Sequence, residues 1–116
     1  MFENEMDILA DKFCDILDRV FAKRIGTCCM YDIVDEPSHQ TFKIEFKAYD
    51  YFFVEFDYEN DMCEFFIVLT KEVKISLTKE PAVYSQITDW GSYLKGIMAE
   101  IELRIPDKFL KSKGWY

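Results

Sequence analysis

The spacing of apolar residues changes twice along the chain, and this pattern restricts the possible folds more than any other feature of the sequence. Apolar side chains recur every three or four positions in residues 3–24 and mostly alternate with polar ones between residues 27 and 78. The longer spacing returns from about residue 86 to residue 104. A repeat of three or four is typical of an amphipathic helix, and alternation is typical of a half-buried strand. The sequence therefore predicts a helix, a sheet and a second helix, in that order.

The first predicted helix has an apolar stripe and, opposite it, a row of acidic residues. The stripe consists of Met6, Leu9, Phe13, Ile16, Leu17 and Val20. The row, which we call the acidic ridge, consists of Glu3, Asp7, Asp11, Asp15 and Asp18. We expect Gly26 to end this helix. Like charges four residues apart destabilise a helix slightly, and a basic partner would relieve that repulsion.

Strands are predicted at residues 27–34, 40–48, 51–58, 62–70 and 73–78, with short connections between them. Short connections favour an antiparallel meander. Ser85 is predicted to cap a second helix at 86–104, followed by a short turn at 106–112. The predicted fold is therefore α+β and two-layered: an N-terminal helix, an antiparallel meander of four to five strands and a C-terminal helix, in a single domain of residues 1–116. We expect both helices to cover the same face of the sheet.

The segment from Tyr49 to Asp61 alternates aromatic rings with carboxylates. If Phe52, Val54, Phe56 and Tyr58 lie beneath the helices, then the intervening side chains point away, together with Phe66 and Val68. A face so rich in rings is unusual on a solvated surface, and aromatic residues are common anchors of protein–protein contacts. We therefore predict a partner-binding set drawn from this segment and from the acidic ridge: Asp7, Asp11, Asp15, Tyr51, Phe53, Glu55, Asp57, Glu59 and Asp61.

The charge of the chain restricts the class of partner. The formal net charge is -8, and it is uneven: residues 1–70 carry 16 acids and 6 bases, whereas residues 71–116 carry 6 acids and 8 bases. Binding of DNA or RNA requires clustered Lys and Arg that contact phosphates. The balance therefore argues against a nucleic-acid partner and favours a basic protein.

No residue pattern indicates catalysis, and we predict no catalytic residue, no metal and no cofactor. The single histidine, His39, lies beside Ser38 in a polar turn, and the four glycines form no phosphate-binding loop. Asp57, Glu59, Asp61 and Glu64 lack the central glycine of a calcium loop. Glu55 and Asp57 would lie about 7 Å apart on one strand face, a spacing open to a glycosidase acid and base, but so acidic a segment makes such pairs inevitable.

The four cysteines (Cys14, Cys28, Cys29 and Cys63) have no CxxC spacing, and we expect reduced thiols. Neighbours in a strand point to opposite faces, so Cys28 and Cys29 cannot readily bridge each other. The N-terminus lacks the pattern of a signal peptide and no apolar run is long enough to span a bilayer. We therefore expect a cytoplasmic protein with no membrane contact.

The combination of these features resembles the small immunity proteins of bacterial polymorphic toxin systems, especially contact-dependent growth inhibition. The resemblance lies in the acidic helix–meander–helix architecture and in two C-terminal segments, 90–94 (Trp-Gly-Ser-Tyr-Leu) and 104–115 (Arg-Ile-Pro-Asp-Lys-Phe-Leu-Lys-Ser-Lys-Gly-Trp). It implies a non-enzymatic inhibitor that neutralises a cognate basic toxin, such as a nuclease, by covering its active site. No residue roles carry over, because these families share no diagnostic motif.

Three other functions remain open at this stage. A phage-encoded mimic of nucleic acid would also use carboxylates to bind a host nuclease. The slightly basic segment 71–116 argues against this alternative. A small enzyme or ligand-binding domain would hold a pocket between helices and sheet. A homodimer would hide the aromatic sheet face against itself.

Overall fold

The computed structural model describes residues 4–115, which form an antiparallel sheet with helices at both ends of the chain. This architecture is the predicted α+β fold. The helices and strands are α1 (Glu5–Phe21), β1 (Cys29–Glu36), β2 (His39–Ala48), β3 (Phe52–Glu59), β4 (Met62–Val68), β5 (Lys74–Ser76), β6 (Ala82–Val83), α2 (Trp90–Glu102) and α3 (Asp107–Ser112). Short 3₁₀ turns occupy Ala22–Arg24 and Tyr84–Gln86.

Helix α1 forms where the sequence predicts it, but it ends earlier. Asn4 caps its start, and the Asn4 side chain accepts a hydrogen bond from the Asp7 backbone N–H. The helix ends at Phe21, where Ala22 adopts a left-handed backbone with φ of 54°. Gly26, the predicted end, instead pairs with the sheet through a hydrogen bond from its N–H to the Lys47 carbonyl.

The strands follow one another in the order β1-β2-β3-β4-β5, each antiparallel to the last, and β6 pairs with β4. The β3–β4 hairpin has a two-residue turn, and both of its residues, Asn60 and Asp61, have positive φ. Asn and Asp tolerate this conformation better than most residues, and it matches the twist of the strands. The Asn60 side chain also accepts a hydrogen bond from the Gln40 N–H, which joins the turn to the start of β2.

The core lies between one face of the sheet and the helices. The Phe13 ring of α1 stacks on Phe56 of β3 at 4.1 Å between centroids, and Trp90 of α2 meets Phe13 edge-on at 4.8 Å. Both helices therefore cover the same face, as predicted. The alternating residues of the three central strands complete this core: Phe42, Ile44, Phe46, Val54, Phe56, Tyr58, Cys63, Phe65 and Ile67.

The C-terminal part differs most from the prediction. Helix α2 begins at Trp90 rather than residue 86, and its cap is Asp89, whose carboxylate accepts hydrogen bonds from the Ser92 N–H and hydroxyl. Ser85, the predicted cap, lies in a 3₁₀ turn. The predicted final turn is a short helix, α3, and it rests on the β2–β3 connection through the pair Phe109–Tyr51.

We expect Phe13→Ala to lower the free energy of unfolding by about 3–5 kcal/mol, because it removes a fully buried ring from the junction of both layers. Ile8→Ala on the exposed side of the same helix should cost less than about 1 kcal/mol. Urea denaturation of the two variants measures both values. Equal losses would contradict the packing described for α1.

Candidate protein-binding surfaces

The acidic ridge lies on α1, along one side of its exposed surface. Glu3 falls outside the described residues. At 100° per residue, the other four members span an arc of about 80°, whereas Lys12 and Arg19 lie on the other side of the exposed arc. Asp11, Asp15 and Asp18 are exposed, and Asp7 is half-buried.

No side chain among residues 4–115 forms an ion pair with the ridge carboxylates of Asp7, Asp11, Asp15 or Asp18. Ile8, also exposed, provides an apolar side chain beside them. The ridge is therefore a negative surface whose carboxylates form no ion pair within the described fold.

The second predicted surface, the sheet face that points away from the helices, is different. We call it the open face. On β3, Glu55 and Asp57 both point to this side, and Lys74 of β5 binds the two of them: its Nζ lies 2.8 Å from Glu55 Oε2 and 3.0 Å from Asp57 Oδ2. The Tyr31 hydroxyl of β1 donates a 2.6 Å hydrogen bond to Glu55 Oε1. Glu55 is only 8% exposed as a result.

The two carboxyl groups respond to this environment in opposite ways. Burial disfavours a charged Glu55, but hydrogen bonds from protonated Asp57, from Lys74 and from Tyr31 outweigh it and hold the pKa of this carboxyl well below its usual value. Burial and the neighbouring Glu55 raise the pKa of Asp57 to about 6, against the opposing effect of Lys74. Asp57 Oδ1 is buried without a hydrogen-bond donor in the described structure. A proton on Asp57 would convert it from an unsatisfied acceptor into a donor.

The other predicted site residues are also engaged within the fold to different degrees. Asp61 accepts hydrogen bonds from the Ser85 N–H and hydroxyl, and so holds the segment before α2. Glu59 lies 3.7 Å from His39 across the sheet. The Tyr51 ring packs edge-on against Phe52 and Phe109. These contacts give three of the predicted residues a structural role.

Phe53 is the most accessible ring of the predicted set, with half of its surface exposed. It lies on the open face, and the Lys47 ammonium lies 5.9 Å from the ring centroid. Phe66 on the same face is covered more closely by Lys74, at 4.2 Å. The open face is therefore a mixed surface in which lysines cover rings and pair with acids.

The predicted residues do not form one surface. Those on α1 lie on the helix side of the sheet, whereas Phe53, Glu55 and Asp57 lie on the opposite side, with the core between the two groups. Sequence reasoning also missed Lys74 and Tyr31, which decide the charge of the open face. Tyr31 lies on β1 and Lys74 on β5, each two strands away from β3, and only the strand order and register place them close to Glu55.

Two cavities of the described structure lie beside its helices. A cavity of about 490 Å³ lies between α2 and α3, and another of about 330 Å³ lies between the start of α1 and the sheet, lined by Met6, Leu9 and Tyr58 among others. Within residues 4–115 no three His, Cys, Asp or Glu side chains are grouped so that they would hold a metal ion.

Comparison with known proteins gives no relative: no protein-family model matches the chain, and neither curated proteins nor solved structures yield a match. In the part of the chain that the structure describes, no helix has the length and apolarity needed to cross a membrane.

The raised pKa of Asp57 predicts a specific pH dependence of stability. A carboxyl whose pKa is higher in the folded state than its usual 3.8 costs stability as pH rises from about 4 through 6, because the unfolded chain ionises first. Asp57→Asn removes this cost. Relative to the wild type, the variant should therefore gain on the order of 1 kcal/mol between pH 4 and pH 7.5.

Urea denaturation at several pH values in this range measures the effect. Glu80→Gln, a change at an exposed position, serves as the control and should leave the pH profile unchanged. If wild type and Asp57→Asn show parallel profiles, the assigned environment of Asp57 is wrong.

Proposed function

We propose that this chain is a non-enzymatic inhibitor that binds a basic protein through the acidic ridge of α1. The observation that carries the proposal is the contrast between its two acidic regions. Lys74 pairs with both Glu55 and Asp57 within the fold, whereas the ridge carboxylates form no ion pair among residues 4–115. Of the two predicted surfaces, the ridge is therefore the better candidate for binding positive charge.

The physics of association supports the ridge as a docking surface. Four carboxylates on one side of a rigid helix produce a local negative potential, which speeds encounter with a positive partner and disfavours acidic or nucleic-acid partners. Basic side chains of a partner would also relieve the repulsion within the ridge. Ile8 gives this charged surface an apolar contact point, since it is exposed on the same helix.

The partner in this proposal is a toxin domain, and the chain is its cytoplasmic immunity protein. Nucleases bind phosphates with Lys and Arg, so a row of carboxylates fits the same basic site. The resemblance of residues 90–94 and 104–115 to the C-terminal helix and tail of immunity proteins supports the choice of a toxin over other basic proteins. In this proposal the ridge covers the active site of the nuclease, and the chain itself catalyses no reaction.

Reversing charge on the ridge tests the proposal. With a basic toxin domain encoded beside this gene as the partner, the double variant Asp11→Lys/Asp15→Lys should weaken binding about 100-fold or more, because each change replaces an attraction by a repulsion. Isothermal titration calorimetry at fixed ionic strength measures the affinity.

The matched control is Glu72→Lys/Glu80→Lys, which makes the same change in net charge at exposed positions away from α1. It should weaken binding less than about tenfold, through the general field alone. Equal losses in the two double variants would show that net charge and not the ridge drives binding. If none of the neighbouring toxin domains binds, the proposal is wrong.

A further inference from the structure

The strand register arranges the outward side chains of the open face in four rows that run across the strands. The first row lies next to the β2–β3 connection and consists of Lys47, Phe53, Val68 and Lys74. The second consists of Cys29, Glu45, Glu55, Phe66 and Ser76. The third consists of Tyr31, Lys43, Asp57 and Glu64, and the fourth of Val34, Thr41, Glu59 and Met62.

Charge is distributed unevenly over these rows. Among the described residues, the first row holds two lysines and no acid, whereas the other three rows together hold five acids and one lysine. Lys47 in the first row and Glu59 in the fourth are both exposed. Lys47 forms no ion pair within residues 4–115. The open face therefore has a basic end and an acidic end.

Apolar side chains lie at both ends of the face. Phe53 in the first row is 50% exposed and Met62 in the fourth is 40% exposed, and Val68 and Val34 lie half-buried in the same two rows. Exposed apolar side chains grouped in this way are typical of interaction surfaces. Glu55, between the two ends, is already withdrawn from water, so covering it costs little further desolvation.

We propose that the open face binds a second copy of this chain, in a symmetric dimer whose two sheets stack face to face with their strands antiparallel. The first row of each copy then lies over the fourth row of the other. This inference is independent of the toxin proposal, because α1 lies on the other side of the sheet. Both acidic ridges remain exposed in such a dimer.

The distribution of charge selects the antiparallel arrangement. Stacked sheets keep their strands roughly aligned, so a two-fold axis allows strands that run either parallel or antiparallel between the copies. Parallel strands would place Lys47 and Lys74 over the same lysines of the second copy. Antiparallel strands place Lys47 beside Glu59 of the second copy and Phe53 beside its Met62. Opposite charges and apolar side chains thus meet only in the antiparallel dimer.

The size of the face fits a weak dimer. The five strands β1 to β5, about 4.8 Å apart, and the four rows, about 6.7 Å apart, give a projected area of roughly 600 Å². Each partner of a standard interface buries about 800 Å², and weaker complexes bury less. We therefore expect a dissociation constant of the dimer on the order of 10 µM.

Sedimentation equilibrium of the isolated chain, from about 1 to 300 µM, tests the proposal. The mean mass should rise from 13.9 kDa toward twice this value. Lys47→Glu and Glu59→Lys should each raise the dimer Kd about tenfold or more, because like charges then meet. The double variant Lys47→Glu/Glu59→Lys should return to within about threefold of the wild type. These two residues are about 20 Å apart in one chain, so the recovery requires contact between copies.

Matched controls separate the interface from general effects of charge and apolarity. Lys108→Glu, at an exposed position of α3, makes the same change in charge as Lys47→Glu and should leave the Kd nearly unchanged. Phe53→Ala should raise the Kd about tenfold, whereas Leu103→Ala, at a side chain that is 78% exposed at the end of α2, should not. Far-UV circular dichroism shows whether each variant is folded.

Three results would overturn the proposal: a wild-type chain that stays monomeric up to about 300 µM, a Lys108→Glu variant weakened as much as Lys47→Glu, or a folded double variant that does not recover. If a charge variant does not fold, the comparison of Phe53→Ala with Leu103→Ala decides in its place, and equal Kd values for these two variants would overturn the proposal.

Discussion

The contact between the Phe13 and Phe56 rings fixes the arrangement of everything else in this fold. It joins α1 to the middle of the sheet, and Trp90 of α2 closes on the same pair. Because Phe56 must face the helices, strand alternation forces Glu55 and Asp57 onto the opposite side. Helical periodicity likewise leaves the acidic ridge facing solvent once Phe13 is buried. The location of the charge is thus a consequence of where the rings are buried.

Acidic residues of similar sequence context therefore have different surroundings. Those on β3 are half or fully buried and share one lysine, so part of their charge is compensated by the fold itself. Those on α1 border water and have no such partner among residues 4–115. The net charge of -8 for the whole chain does not distinguish the acids of β3 from those of α1. The surface potential available to a partner depends on which carboxylates the fold leaves uncompensated.

The sequence predicted the elements well wherever apolar spacing was regular, as in α1 and in strands β2 to β4. It failed where two nearby residues could each cap the same helix, as Ser85 and Asp89 can for α2. Asp89 is the cap in the structure because its carboxylate accepts hydrogen bonds from Ser92 within the first turn of α2. The candidate surfaces were predicted less completely. Lys74 lies 19 residues from Glu55, and only pairing of β3 with β4 and of β4 with β5 brings them together. Such contacts depend on register, which composition does not reveal.

The uncompensated ridge also gives this protein an unusual relation to ionic strength. Dissolved salt screens the repulsion among carboxylates on α1, so added salt should favour the folded helix slightly. The same ions compete with a basic partner for the ridge and should weaken that association. High salt therefore favours folding of α1, whereas low salt favours binding of a basic partner to the ridge. At low salt the carboxylates of the ridge repel one another. This repulsion decreases when dissolved cations, or the basic side chains of a partner, come close to α1.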